Sequence, residues 1–397
     1  VQSASLFVDR VNLIGNQLNN YQVNLNKQVT EIVKRINQIG EEVVNLNEKI
    51  AKYEITGASA NDYRDARNVL LDELAIYGEI SYKEHPNGEL SVMFENVSFI
   101  NESSYMKMDV APAANQSGMI KPVWVAYGSD VILLDRDIGQ EYGNDTGRLK
   151  GIMLGRGTGV VNYTAMNDPD YFEKHVEPSI IMSVKAKFDN LVHSIVTKIN
   201  DILAPNTSDV PPVLDTANAP YGLDGSQGIE LFKREYRDRY DSSGVYIEED
   251  PDDAYTLYST GNLVVNPLVD QDYNKLCLNY DKNAVGDARV VEEMLRSWQV
   301  KDLKLNPDDM NTMSIDEYYY NMMYEIAQRG EKANTIIRTE EKMINQIENQ
   351  RHSVLSVSSD EELGNMIRYQ HAYNAGVRVM NTLSEMLEHI IMHVGRA

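Results

Sequence analysis

Val11, Leu18, Leu25, Ile32, Ile39, Leu46 and Tyr53 recur every seven residues. Val29, Ile36, Val43 and Ile50 form a second line, four residues past members of the later part of that series. Alternating 3-4 spacing sustained over about six heptads commits the start of the chain to one long helix with a continuous apolar seam. At 1.5 Å per residue, Val11 to Tyr53 makes a rod roughly 60–65 Å long. The remaining faces carry Asn, Gln, Glu and Lys and read as a solvated rod surface.

The other end of the chain repeats the theme. Ser314 is placed to cap a helix through Gln350 that carries Tyr319, Met322, Ile326, Ala333, Ile336, Met343 and Ile347. A polar hinge, Ser353 to Ser359, precedes a terminal helix from about Asp360 to Val394. In that helix Met366, Tyr373, Met380, Leu387 and Val394 fall seven apart, with Val377 and Ile391 filling the 4-3 rhythm. An apolar stripe of that length has to be covered by another segment or another molecule.

Between the two ends the period changes. Thr56-Gly57-Ala58-Ser59 breaks the first helix, and Ser59 or Asn61 can cap a second one with Val69, Leu70, Leu74 and Ile76 that stops at Gly78. Ile80–Tyr82 and Leu90–Phe94 flank His85-Pro86-Asn87-Gly88, the signature of a hairpin with an Asn-Gly turn. Short strands are expected within Val97–Val110 and Val123–Leu134. Gly151–Gly159 reads as a loop and Val176–Leu203 as an amphipathic helix. Residues 204–228, with Pro205, Pro211, Pro212 and Pro220, read as an irregular connection. Glu230–Arg234 and Asn262–Val265 are short β-like runs on either side of the acidic stretch Glu248–Asp253, and a helix is expected near Asp287–Trp298.

The fold class that follows is α+β: a discontinuous helical rod domain built from the N- and C-terminal coiled-coil-like helices, with a β-rich insertion between them. The rod comprises residues 1–80 and 310–397, the insertion 81–145, and a mixed helix/strand region 146–309. Such an insertion would be removable without loss of the helices.

Composition narrows the function. A net charge of −23 leaves no basic face to replace phosphate counterions, which argues against nucleic acid. The lone Cys277, within Leu276-Cys277-Leu278, excludes a disulfide framework and reads as a buried thiol. No run of 18 apolar residues suggests a membrane span.

Four local patterns invite a chemical reading, and each has a plainer one. His389 and His393 are spaced i,i+4 with Glu385 one turn earlier, but His389-Ile390-Ile391-Met392-His393 lacks the Glu of a zinc-protease helix. Solvated flanking histidines are expected. Gly155-Arg156-Gly157-Thr158-Gly159 has no Gly-Lys-Ser/Thr ending and opens no helix, so it reads as a turn. Glu248–Asp253 lacks alternating calcium-loop spacing and reads as a solvated acidic loop. Asp65 and Arg67, two apart on a helix, cannot face one cleft and are expected in structural ion pairs. No catalytic set, metal site or cofactor site is assigned.

Three stretches carry a resemblance. Asn61-Asp62-Tyr63-Arg64-Asp65-Ala66-Arg67-Asn68-Val69-Leu70, with Leu74 beyond, is similar to an N-D-L-x-D-x-R-D-x-L pattern, with Tyr63 and Asn68 as departures. Gly147–Leu154 looks like a short strand before a central helix ending near Asn200, and Asn262-Leu263-Val264-Val265-Asn266 followed by Gly286-Asp287 is similar to a further element. Glu362-Leu363-Gly364-Asn365-Met366-Ile367-Arg368-Tyr369-Gln370-His371-Ala372-Tyr373-Asn374-Ala375 resembles the tail signature of bacterial flagellar axial proteins, extended by Met380, Leu383, Met386 and Leu387.

Together they resemble the flagellar hook-associated protein 1 family. The resemblance implies a non-enzymatic adaptor at the hook–filament junction, outside the cell and exported by the flagellar type III apparatus. The implied partners are hook protein, hook-associated protein 3, an export chaperone and further copies in a ring, with no nucleic acid, membrane or cofactor. Met366, Tyr373, Val377, Met380, Leu387 and Ile391 are the residues expected to make assembly and chaperone contacts. The resemblance also implies that the N-terminal segment which normally pairs with the tail helix is missing here. Another axial protein, such as hook-associated protein 3 or a flagellin-like chain, is the alternative. A flagellin-like protein with an enzymatic insertion would need a His-Glu-x-x-His helix within about residues 80–300, and the sequence has none there.

Overall fold

A computed structural model of the chain describes residues 1–55, 57, 59–113, 118–134, 147–282, 287–355 and 359–394. It divides into two compact units, residues 1–324 and 325–397. Thr56, Ala58 and Gly286, singled out in the sequence, lie outside the described residues.

The first unit is organised on α1, Gln2–Glu54. Its buried residues include Val8, Gly15, Gln22, Val29, Ile36, Val43 and Ile50, spaced by seven throughout, with Val11, Ile32 and Ile39 beside them. The second apolar line of the sequence is thus the principal one, and it continues toward the N-terminus through a glycine and a glutamine. Tyr53, at the end of the other line, is exposed.

The seam is covered by two separate cores. Near the N-terminus Val8 and Val11 pack with Val192, Val196, Phe232, Tyr258 and Leu263. Further along, residues 29–43 share one core with Leu71, Leu74, Phe94, Phe99, Trp124, Leu149 and Met153. Gly40 admits this packing: a Cβ there would lie 2.8 Å from the Phe99 ring and 2.9 Å from the Tyr105 ring. Gly15 plays the same part against Thr260, whose Cβ lies 3.1 Å from the position a Cβ would take.

α2 spans Asn61–Tyr77 and buries Arg67, Leu71 and Leu74. Val69 and Ile76 face solvent, so the packed face is set around Arg67 and the apolar reading of this helix is corrected by one residue. Neither Ser59 nor Asn61 caps it. The N-cap is Ala60, whose N–H donates to Glu54 Oε1 at 3.2 Å. Glu54 also receives the Arg64 guanidinium, so a charged pair serves where a hydroxyl or amide was expected.

The β-rich segment follows. β1 (Ile80–Glu84), β2 (Leu90–Phe94), β3 (Val97–Asn101) and β4 (Ser104–Tyr105) form an antiparallel meander in that order. The Asn87-Gly88 turn joins β1 to β2 with Gly88 at φ +83°. Glu95 and Asn96, both at positive φ, join β2 to β3 through the two-residue turn whose twist suits a hairpin. β5 (Met108–Pro112) and β6 (Ile120–Trp124) form a second antiparallel pair.

α3, Gly147–Arg156, stands where a strand and then a loop were expected. Leu149 and Met153, one turn apart, are buried in the central core, while Gly151 and Gly155 face open space. Burial of one face outweighs the roughly 1 kcal/mol that each glycine costs a helix. Gly157, at φ +79°, ends it. A 3-10 turn at Tyr163–Asn167, the short α4 (Pro169–Tyr171) and a π turn at Phe172–Val176 lead to α5, Ile180–Leu203, capped by Ser179.

After an irregular segment, β7 (Phe232–Arg234) pairs antiparallel with β8 (Leu263–Val265), uniting the two β-like runs of the sequence. α6 (Pro267–Gln271) and α7 (Arg289–Gln299) follow. α8 runs from Ile315 to Leu355. Ser314 and Glu317 form a reciprocal cap at its start: the Ser314 N–H donates to Glu317 and the Glu317 N–H to Ser314 Oγ. The Tyr318 hydroxyl donates to the Lys187 carbonyl of α5 at 3.0 Å.

The polar residues of α1 depart most from the sequence reading. Asn37 Nδ2 donates to the Met108 carbonyl and Asn37 Oδ1 accepts the Met108 N–H, both at 2.9 Å. Asn47 grips Leu90 in the same way, at 2.8 and 3.2 Å, and also donates to the Glu102 carbonyl. Asn26 bridges the Gly118 carbonyl and the Ile120 N–H, and Asn12 bridges the Leu263 carbonyl and the Gly261 N–H. Gln22, only 2 % exposed, donates to the carbonyls of Arg156 and Gly159. A primary amide offers a donor and an acceptor at peptide-like spacing, so each of these four asparagines satisfies strand or loop backbone that would otherwise be left unpaired. The polar face of α1 is therefore in part a dock for β2, β5, β6 and β8 rather than a solvated surface throughout.

Two outcomes follow. Asn47→Leu leaves the backbone of Leu90 and the carbonyl of Glu102 unpaired and should cost about 2–4 kcal/mol in a urea melt. The same change at exposed Asn45 should stay within about 0.5 kcal/mol; equal effects would mean that the clamp contributes nothing. Deleting residues 81–145 strips Phe94, Phe99 and Trp124 from the core they share with Ile36, Ile39 and Val43. Far-UV circular dichroism should then show loss of most helical signal from the first unit. An unchanged α1 signal would contradict the shared core.

Candidate assembly surface

The sequence element Asn61–Leu74 anchors the first hairpin. Arg67, 2 % exposed, donates through Nη1 to the Gly88 carbonyl at 2.8 Å and to Asn47 Oδ1 at 3.1 Å, and through Nη2 to Glu84 at 3.4 Å. Burial pushes its guanidinium below the usual arginine range, partly offset by Glu84. Arg64 pairs with Glu54 and Glu84 on the outer side, and its hydrogen bond holds the Glu54 carboxyl down at about 2. These arginines locate the turn of the β1–β2 hairpin against α1 and α2. The expectation of structural ion pairs is met for Arg67, and Asp65 lies exposed beside it.

The second unit contains the rest of α8 and α9, Ser359–Val394. In α9, Met366, Tyr373 and Met380 repeat at seven and Val377 fills the gap, which places all four within roughly 60° of the helix circumference. All four are exposed, Tyr373 at 73 % and Met380 at 69 %. Leu363, Tyr369 and Leu383 widen the exposed stripe. Leu387 and Ile391, expected to continue it, and the histidines at 389 and 393 fall outside the residues whose side chains are described. In α8, Ile336, Ile337, Met343, Ile344 and Ile347 are exposed as well, so neither helix of this unit covers the stripe of the other.

Single exposed apolar side chains need no explanation, but a file of them along two helices does. Full burial of a Tyr, Met or Val side chain is worth roughly 1.5–3 kcal/mol. A partner that covers the four stripe residues of α9 therefore gains several kcal/mol before its ordering costs. Among the described residues no helix is long and apolar enough to cross a membrane, and no group of three or more His, Cys, Asp or Glu is arranged to hold a metal ion. The arrangement is suited to helix–helix association.

Sequence reasoning missed two polar features of the first unit. One is the set of asparagine clamps on α1. The other is Glu249, taken as part of a solvated loop. It is half-buried and accepts hydrogen bonds from Tyr163, the Tyr258 N–H and the His193 ring. Cys277 is buried as expected, and burial pushes its thiol up, away from a reactive thiolate.

Comparison with known proteins bears on both units. Residues 1–208 match the family model described as the flagellar hook-associated protein FlgK helical domain. Residues 356–391, which contain the stripe, match the model described as the flagellar basal body rod FlgEFG protein C-terminal. Flagellar hook-associated protein 1 of Bacillus subtilis (strain 168) is 21 % identical over 397 residues, covering 97 % of this chain and 69 % of that protein. The protein of the same name from Escherichia coli (strain K12) is 20 % identical over 405 residues, covering 90 % of this chain and 69 % of its own length. Among solved structures, the flagellar hook junction protein FlgK from Burkholderia pseudomallei aligns with 57 % of this chain and 34 % of its own, at 16 % identity and a TM-score of 0.38.

Proposed function

The chain belongs to the flagellar hook-associated protein FlgK family, and from that premise we propose that it is a structural adaptor of the bacterial flagellum, placed at the junction of hook and filament. The observation that carries the reading is the coincidence of two independent facts. The 356–391 segment matches the C-terminal model of flagellar rod proteins, and that same segment exposes an apolar stripe with no cover inside its own unit. A subunit of a helical assembly uses such a stripe as the contact that closes on its neighbours.

In this reading residues 1–80 and 310–397 act as one discontinuous helical domain in the assembled state. Residues 81–145 are carried on it as the β-rich part, and 146–309 as the mixed region. Met366, Tyr373, Val377, Met380, Leu387 and Ile391 make the axial contacts. Copies associate in a ring, with hook protein on one side and hook-associated protein 3 on the other. Before export through the type III apparatus the same stripe is held by a chaperone, whose groove covers the apolar face that the assembly later buries.

The test is the double variant Tyr373→Asp, Met380→Asp. Both side chains are exposed in the second unit, so the melting temperature of the first unit should stay within 1–2 °C of wild type, about what a surface change allows. Co-purification with the export chaperone and complementation of a non-motile deletion strain should both be lost. Retained chaperone binding together with retained motility would overturn the role of the stripe.

A further inference from the structure

The mixed region contains an ionisable cluster that the structural role leaves unused. Asp189 of α5, 2 % exposed, accepts the Tyr163 N–H on Oδ2 at 2.9 Å and the Thr260 N–H on Oδ1 at 2.6 Å. One turn further, the His193 ring stacks on Tyr163 with centroids 3.8 Å apart, and its Nε2 lies 2.9 Å from Glu249 Oε2. Glu249 Oε1 accepts the Tyr163 hydroxyl and the Tyr258 N–H, each at 2.8 Å. Asp189 thus bonds the Thr260 N–H and Glu249 the His193 ring, which ties both ends of residues 249–260 to α5, while Glu249 also braces the Tyr258 N–H within that segment and the two carboxylates together hold Tyr163.

The groups facing this cluster can be named element by element. α5 supplies Lys185 one turn before Asp189, and Asp201 further along. The strand and loop 229–247 supply Glu230, Arg234, Arg239, Tyr240 and Tyr246, with Lys233 at their edge. Glu230 accepts the Tyr258 hydroxyl at 2.6 Å, and Arg239 pairs with Asp201 at 2.7 Å. The side of α1 that meets this region contributes Gly15 and the amides of Asn12 and Asn19.

We propose that Asp189 and Glu249 form a pH-responsive latch whose two carboxylates act in opposite directions on the docking of residues 249–260 against α5. Asp189 lies deep, and the Tyr163 and Thr260 N–H groups, the Thr260 side chain and the nearby His193 do not offset the cost of burying its charge. Burial raises its pKa, so the docked state gains as pH falls toward the value the group has when undocked. Glu249 is held below the usual carboxylate range: hydrogen bonds from His193, Tyr163 and the Tyr258 N–H outweigh its burial. Its contribution is present above the undocked carboxylate value and is lost as pH falls through its own lower one. Tyr163 and Tyr258, both pushed up by burial, keep their protons and remain donors throughout. Docking therefore tightens on mild acidification and loosens on stronger acidification.

Amide hydrogen exchange on the full chain tests this directly, because the Thr260, Tyr163 and Tyr258 N–H groups are themselves the reporters. After correction for intrinsic exchange, their protection should rise from pH 8 toward the acid range and then fall. Each limb can be no steeper than about tenfold per pH unit for one titrating group. Asp189→Asn should flatten the rising limb and leave the fall, and Glu249→Gln should flatten the fall and leave the rise. If Asp189→Asn fails to fold, Glu249→Gln alone decides, since an unaltered acid fall in that variant contradicts the latch. Protection independent of pH in the wild type, or one profile shared by both variants, overturns it.

Discussion

One helix face gives the first unit its reference frame. Val8, Gly15, Gln22, Val29, Ile36, Val43 and Ile50 keep a strict seven-residue period along α1, and the two cores that include α1 pack along this line with strands hung from the amides beside it, while residues 161–186 and the Leu203, Cys277 and Val290 cluster form cores of their own. Apolar burial supplies most of the free energy but has no direction, so it cannot by itself set the height at which a strand meets a rod. The clamps at Asn12, Asn26, Asn37 and Asn47 can. Each pairs with a backbone N–H and a backbone C=O of a single residue or of close neighbours, and a shift along the helix would leave both unpaired in a partly dry interface.

The division of labour explains why a chain whose organising helix looks like half of a coiled coil does not use it as one here. A coiled coil needs apolar knobs at both seam positions along its length. α1 interrupts its buried line with Gly15 and Gln22, and nearer its C-terminal end Gly40 makes room for the Phe99 and Tyr105 rings. Those interruptions make room for a loop, a set of carbonyls and an aromatic cluster, which a second helix could not provide. α9 is the opposite case. Its line of Met366, Tyr373, Val377 and Met380, with Gln370 and Ser384 at the intervening positions, is exposed in its own unit.

Much of this was legible in the residues. The length and amphipathic character of the terminal helices, the Asn-Gly hairpin, the Ser314 cap and the two β-like runs at 230–234 and 262–265 all follow from periodicity and turn chemistry; that the two runs pair with each other does not. The errors share a cause. The glycines of α3 signal irregular backbone, yet Leu149 and Met153 decide for a helix by burial. Arg67 was not read as the centre of a packed face, because hydropathy counts a guanidinium as surface. A clamping asparagine and a solvated one are identical in a single sequence; only the position of the strand backbone tells them apart. Glu249 was hidden in the same way, inside an acidic run whose neighbours Glu248, Asp250 and Asp252 do face solvent or the rim.

The central claim is that the α9 stripe is a contact surface between subunits of the flagellar axis. Site-specific photocrosslinking in intact flagella tests it most directly, with a benzoylphenyl probe at Tyr373 and a control probe at Tyr236, an exposed tyrosine of the first unit. High-mass adducts to axial subunits are expected from position 373 at several times the yield from position 236. Equal yields at the two positions, or no adduct from 373 in flagella that assemble normally, would contradict it.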